Sequence, residues 1–110
     1  MPGFYELSKS DNGQFHFALK AENGQILLRS EQYESRGSAK GGIASVQTNC
    51  PLDARYEKKD ATDGRSFFNL KAGNHQVIGT SKMFASAQER DAAIASVKEN
   101  GATKAIKDIH

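Results

Sequence analysis

The chain reads as an α+β protein made of two tandem copies of one unit, and three observations lead there. Residues 5–50 align with residues 56–101 at a constant offset and without a gap. Tyr5-Glu6 returns as Tyr56-Glu57, Leu19-Lys20-Ala21 as Leu70-Lys71-Ala72, and Ile43-Ala44-Ser45-Val46 as Ile94-Ala95-Ser96-Val97. Within each copy, glycine-bearing turns separate short segments whose apolar residues alternate, the period of a half-buried strand. A serine then precedes a stretch whose apolar residues recur three and four apart, the period of a helix.

The strands come first. Asp11-Asn12-Gly13, Asn23-Gly24 and Thr62-Asp63-Gly64 lie between the alternating segments. Asn-Gly and Asp-Gly accept the positive φ that tight hairpins require, so each copy opens as a three-stranded antiparallel meander. The expected strands are residues 4–9, 14–21 and 25–30, then 55–60, 65–72 and 76–81. On the second of these, Phe15, Phe17, Leu19 and Ala21 share one face and His16, Ala18 and Lys20 the other. The matching strand of the second copy turns Phe68, Leu70 and Ala72 inward.

A helix follows in each copy, capped by Ser35 or Ser86, whose hydroxyl accepts from an otherwise unpaired backbone amide. Ser86 with Glu89 has the pattern of a full capping box; Ser35 with Ser38 does not. Ile43 and Val46 share a stripe with Ala39, as Ile94 and Val97 do with Arg90, and that stripe should face the sheet. Tyr33 and Phe84 are expected to pack over the helix starts, and Gly101 to close the second helix by glycine C-cap chemistry. Gly37, Gly41 and Gly42 stand where the second copy has Gln88, Ala92 and Ala93. At about 0.8–1.0 kcal/mol per glycine, the first helix is intrinsically weaker by roughly 2–3 kcal/mol. Either packing tolerates the loss, or the backbone there closely approaches the other copy or a ligand. Residues 102–109 are rich enough in Ile, Ala and Thr for a last strand, whose counterpart at 52–54 runs directly into the second copy.

A unit of about 50 residues is marginal alone because too little of its surface can be buried, so the copies should share one core. The chain is read as a single domain, residues 1–110, with repeats at 3–50 and 51–110. The doubled pattern of Tyr-Glu, Phe-x-Leu-Lys-Ala, x-Asn-Gly-Gln-Ile and a serine-capped helix ending Ile-Ala-Ser-Val-x-x-Asn resembles the bacterial YegP-like family. Its carriers are Tyr5-Glu6, Phe17–Ala21, Asn23–Ile26, Ser35 and Ile43–Asn49, with the same set from Tyr56 to Asn100. The resemblance implies two β3-α-β repeats in one antiparallel sheet with both helices on one face, pseudo-twofold symmetric, with terminal strands exchanged between repeats. It also implies a monomer, since the second copy occupies a partner's place. It carries over no catalytic residues. His75, where Asn-Gly is expected, and Ser66, opposite Phe15, depart from the pattern.

Fifteen Lys/Arg against thirteen Asp/Glu give a net charge of +2, without the basic stripe of a strong nucleic-acid binder. The single Cys50 permits no internal disulfide and fits a small apolar residue in a reducing cytoplasm. The N-terminus has neither the basic nor the apolar region of a signal peptide, and no apolar run is long enough for a membrane span. His16, His75 and His110 lack metal-ligand spacing, no serine sits in a nucleophile elbow, and Gly41-Gly42 lacks the phosphate-loop lysine. No cofactor or metal is expected. The chain is therefore read as a cytoplasmic, non-enzymatic binding or interaction module using the open sheet face at His16, Lys20, Phe67, Asn69 and Lys71. A protein or peptide suits that face. An aromatic beside lysines also admits weak binding of single-stranded nucleic acid. A further alternative is a small-ligand site or enzyme pocket at the repeat junction, built from Tyr5/Tyr56, Glu6/Glu57 and Asn49/Asn100.

Overall fold

The computed structural model describes residues 3–108, so the Ile109 end of the expected last strand and His110 lie outside the described residues. The order is β1 (Phe4–Lys9), β2 (Phe15–Lys20), β3 (Ile26–Arg29), α1 (Arg36–Asn49), β4 (Tyr56–Asp60), β5 (Ser66–Lys71), β6 (Val77–Thr80), α2 (Ala87–Asn100) and β7 (Ile106–Asp108). The turns behave as their residues dictate: Gly13, Gly24 and Gly64 all have positive φ. His75 takes the place of Gly24 in the second copy and is forced to φ 70°, a conformation a side chain disfavours by about 1–2 kcal/mol.

All seven strands join one sheet in the order β4-β5-β6-β3-β2-β1-β7. Its junctions are antiparallel except β1 with β7, which is parallel and makes the sheet mixed. β7 follows α2 and runs opposite to β6, the strand before that helix, which leaves it parallel to β1 at the far end of the sheet. The terminal strand of the second repeat thus pairs with the first repeat. The exchange runs one way, because Asp53–Arg55 forms a single 3-10 turn and passes directly into β4.

The register puts Tyr5 opposite Leu19, Leu7 opposite Phe17, and Leu19 opposite Leu28 on the helix side, all fully buried. Phe68 and Leu70 do the same in the second copy, against Ile43, Val46, Ile94 and Val97 of the helices. Each helix touches strands of both repeats: α1 packs on β2, β5 and β6, and α2 on β5, β2 and β3. Ser35 and Ser86 accept from the amides of Ser38 and Glu89, both at 3.1 Å. Tyr33 lies over the middle of α1 and not its start, stacked on Phe17 at 6.1 Å between centroids. A Cβ at Gly42 would lie 2.3 Å from its hydroxyl. The close approach expected around the α1 glycines is therefore real at Gly42, but the neighbour belongs to the same copy. Gly41 faces open space.

Arg29 and Thr80 are counterparts in the two repeats and also direct partners across β3 and β6. The pseudo-twofold axis therefore passes between them. Residues on such an axis meet their own counterparts, and at Arg29/Thr80, Leu28/Gly79 and Cys50/Gly101 the copies differ. A Cβ at Gly79 would lie 2.7 Å from the side chain of its counterpart Leu28. One at Gly101 would lie 2.6 Å from Sγ of its counterpart Cys50. Gly101 has φ −68°, so this position needs glycine for space and not for a left-handed cap. Around the axis the halves are stapled across: Tyr5 donates its hydroxyl to the Gly101 carbonyl and Tyr56 to that of Cys50, both at 2.6 Å.

Two outcomes follow from this packing. Gly79→Leu should cost about 1–3 kcal/mol in urea unfolding by overpacking against Leu28, and the swapped L28G/G79L protein should recover at least half of that loss. Burial is the main cause pushing both tyrosine phenols above the ordinary value of 10.0, with a smaller push from Cys50. A raised folded pKa means the contribution is complete below pH 10.0 and is lost as pH rises from there through the folded value. Tyr5→Phe should lower stability by about 0.5–1.5 kcal/mol at neutral pH and flatten the alkaline limb of a stability-against-pH curve.

Candidate functional site

Because strand side chains alternate, the sheet face opposite the helices carries its own register. One row crosses every strand: Lys107, Glu6, Ala18, Arg29, Thr80, Asn69 and Glu57. All five residues read from the sequence as the candidate site lie on this face. They do not gather into one patch. Following the antiparallel pairings, His16 falls at the same end of the face as Lys71, and Phe67 at the end of Lys20. β2 and β5 are three strand spacings apart, about 14 Å. Counterpart positions are carried to opposite corners by the pseudo-twofold, which a comparison of aligned sequences does not reveal.

The lysines are engaged within the face. Lys20 Nζ is 2.8 Å from Glu6 Oε1, and Lys71 Nζ is 2.8 Å from Glu57 Oε2. Asn69 donates to Glu57 Oε1 at 3.1 Å and accepts from Thr80 Oγ1 at 2.8 Å. His16 Nδ1 lies 2.9 Å from Ser10 Oγ, and Phe67 is half-buried opposite Lys59. The bonds from Lys71 and then Asn69 hold the Glu57 carboxyl below its ordinary value. Lys107 lies over the Phe4 ring. Arg29 is exposed on the axis at the centre of the face and, like Lys107 at its margin, makes no ion pair among the described residues. The sequence does not single Arg29 out, because the repeat breaks there, with Thr80 at the counterpart position.

The set proposed for a junction pocket is split by the sheet. Tyr5, Tyr56, Asn49 and Asn100 do converge at the helix ends, but as structure. Gly3 N–H donates to Asn100 Oδ1 at 2.7 Å, and Arg55 Nε to Asn49 Oδ1 at 2.9 Å. Glu6 and Glu57 lie on the opposite face. At the helix ends, Cys50 is buried with its thiol pushed up by burial, which keeps it in the less reactive protonated form. A separate groove of about 430 Å³ lies between α2 and residues 25–27 of the first repeat, lined by Ile26, Leu27, Phe84, Ala92 and Ala93, with Lys82 and Glu89. Among the described residues no group of three or more His, Cys, Asp or Glu side chains could hold a metal ion, and no helix is long and apolar enough to cross a membrane.

The family described as "Domain of unknown function (DUF1508)" matches residues 10–57 and again 61–108. The chain is 56% identical over 108 residues to "UPF0339 protein YegP" of Escherichia coli strain K12, covering 98% of each chain. It is 56% identical over 109 residues to a "UPF0339 protein" of Shewanella oneidensis, covering 99% of each. The solution NMR structure of the E. coli "protein of unknown function yegP" superposes with a TM-score of 0.93 at 56% identity, covering 98% of this chain and 93% of that one. The S. oneidensis UPF0339 structure gives the same TM-score of 0.93.

The lowered Glu57 value fixes a sign. Stability from a depressed carboxyl is present above the ordinary value of 4.5 and is lost as pH falls through the lower folded value. Glu57→Gln should therefore be less acid-sensitive than the parent protein when denaturant midpoints are compared below about pH 4.5.

Proposed function

Given that the chain belongs to the DUF1508 family, with two copies of that domain in tandem, we propose that it is a non-enzymatic interaction module whose open sheet face receives a protein or peptide. In this reading it works as a monomer in the bacterial cytoplasm. The observation that carries it is the isolated Arg29 at the centre of a face whose other charges are largely matched. An arginine without an acid partner supplies a rigid fork of donors for a carboxylate. The matched lysines around it set register and orientation without adding net positive field. The same matching argues against nucleic acid, because Lys20 and Lys71 would have to leave Glu6 and Glu57 to reach phosphate.

The second reading, a small-ligand site at the repeat junction, is favoured by the groove of about 430 Å³ between α2 and the first repeat. Apolar walls with one cation and one acid at such a volume suit a small amphipathic molecule.

The test is a photo-crosslinking residue placed at Thr80 on the open face and, as control, at the exposed Ala44 of α1. The reading expects a discrete crosslinked product in bacterial cells at Thr80, none at Ala44, and loss of the product when Arg29→Glu is added. Equal products at both positions, or products indifferent to Arg29, would reject the open face. Amide spectra of the parent protein with a short mixed-sequence RNA, then a DNA strand, should show no shifts that survive physiological salt.

A further inference from the structure

The two ends of the sheet are counterparts under the pseudo-twofold, yet only one is completed by an added strand. At the β1 end, Tyr5 N–H donates to the Ala105 carbonyl at 2.9 Å, and Gln47 Nε2 to the Thr103 carbonyl at 2.8 Å. β7 then runs parallel with Ile106 beside Tyr5, Lys107 beside Glu6 and Asp108 beside Leu7. Asp108 reaches Arg36 at 3.0 Å. The counterparts of Tyr5, Leu7 and Gln47 are Tyr56, Lys58 and Lys98. At that end β4 is the sheet edge, and these three residues line a cavity of about 480 Å³ floored by Ile94 and Ala95. The space that residues 103–108 occupy beside β1 is thus open beside β4. The Tyr56 N–H is already taken by Asp53. By the period of two, Lys58 turns its N–H and C=O to the edge.

We propose that this edge is a second docking site, taking an extended peptide in trans that adds to β4 as an eighth strand. Its chemistry follows from the register. A residue beside Tyr56 points into the cavity and should be apolar. The next lies beside Glu57 on the open face and should be basic. The third lies beside Lys58 and should be acidic. Lys58 selects among occupants. It is exposed and pairs with Asp91 at 3.2 Å on the rim of the cavity. In a second copy of β4 docked across a two-fold, it would face its own like charge, which opposes pairing. A peptide carrying an acid at that position turns the same lysine into a contact. Ile106-Lys107-Asp108 has this order of side chains, which makes the chain's own last segment a suitable probe.

The experiment titrates a synthetic peptide of residues 102–110 into the intact labelled protein and follows its amides. Saturable shifts confined to 56–60 and 91–98 are expected. Ala95→Arg, which fills the cavity with a good helix former, should weaken binding about tenfold or more, while its amide spectrum elsewhere keeps the folded pattern. Lys58→Glu should lose the peptide and gain affinity for a version with Asp108→Lys, a reversal that a merely destabilised edge would not give. The proposal is overturned by an absence of shifts at millimolar peptide, or by shifts on 4–9 and 103–108 from displacement of β7. Peptide-independent self-association through β4 would overturn it in favour of a second copy.

Discussion

A meander of three short strands has one apolar face, and the single helix of each repeat must cover it while having a stripe of its own to bury. Each helix meets both requirements by lying across strands of both repeats. Everything else depends on this shared burial. It brings the two helix C-termini together, where Tyr5 and Tyr56 each donate to the last turn of the other repeat's helix. It makes β3 and β6 neighbours at the centre of the sheet. It also sends both helices to one side, and the opposite face is left to polar and charged side chains.

On that open face the charges have been arranged to satisfy each other. Glutamates on the first strand of each repeat accept lysines from the second, so the repeated Glu6/Glu57 and Lys20/Lys71 are a repeated ion pair and not separate chemical groups. Surface pairs of this kind contribute little stability. Their effect is to cancel field, which leaves Arg29 at the centre of the face and Lys107 at its margin as the cations without an acid partner among the described residues. The axis explains the singularity of Arg29, since an arginine repeated at Thr80 would face itself across the strand junction.

Most of the architecture was legible in the residues. Turn glycines, alternation and serine caps describe local chemistry, and the structure has the expected strands and serine N-caps. Two kinds of information were not legible. The parallel arrival of β7 depends on where α2 leaves the chain, which no local pattern encodes. Nor does aligning the copies tell why Leu28/Gly79 and Cys50/Gly101 differ, which is that large and small side chains must alternate at the axis. For the candidate site, face membership followed from the period of two, so His16, Lys20, Phe67, Asn69 and Lys71 were all assigned to the correct side. Their dispersal to opposite corners and the central place of Arg29 required knowing how the repeats are related.

The leucine set against a missing side chain at Gly79 has a consequence for how such a molecule could have arisen and whether it could go back. A homodimer of identical halves can carry neither Leu28 twice, for lack of room, nor Gly79 twice, without leaving a hollow. Leu28 fills the space that Gly79 leaves, so each half is a lock cut for a single key. The joined chain thereby discriminates against pairing of first half with first half between neighbouring nascent chains, a guard against misassembly that two identical halves would lack.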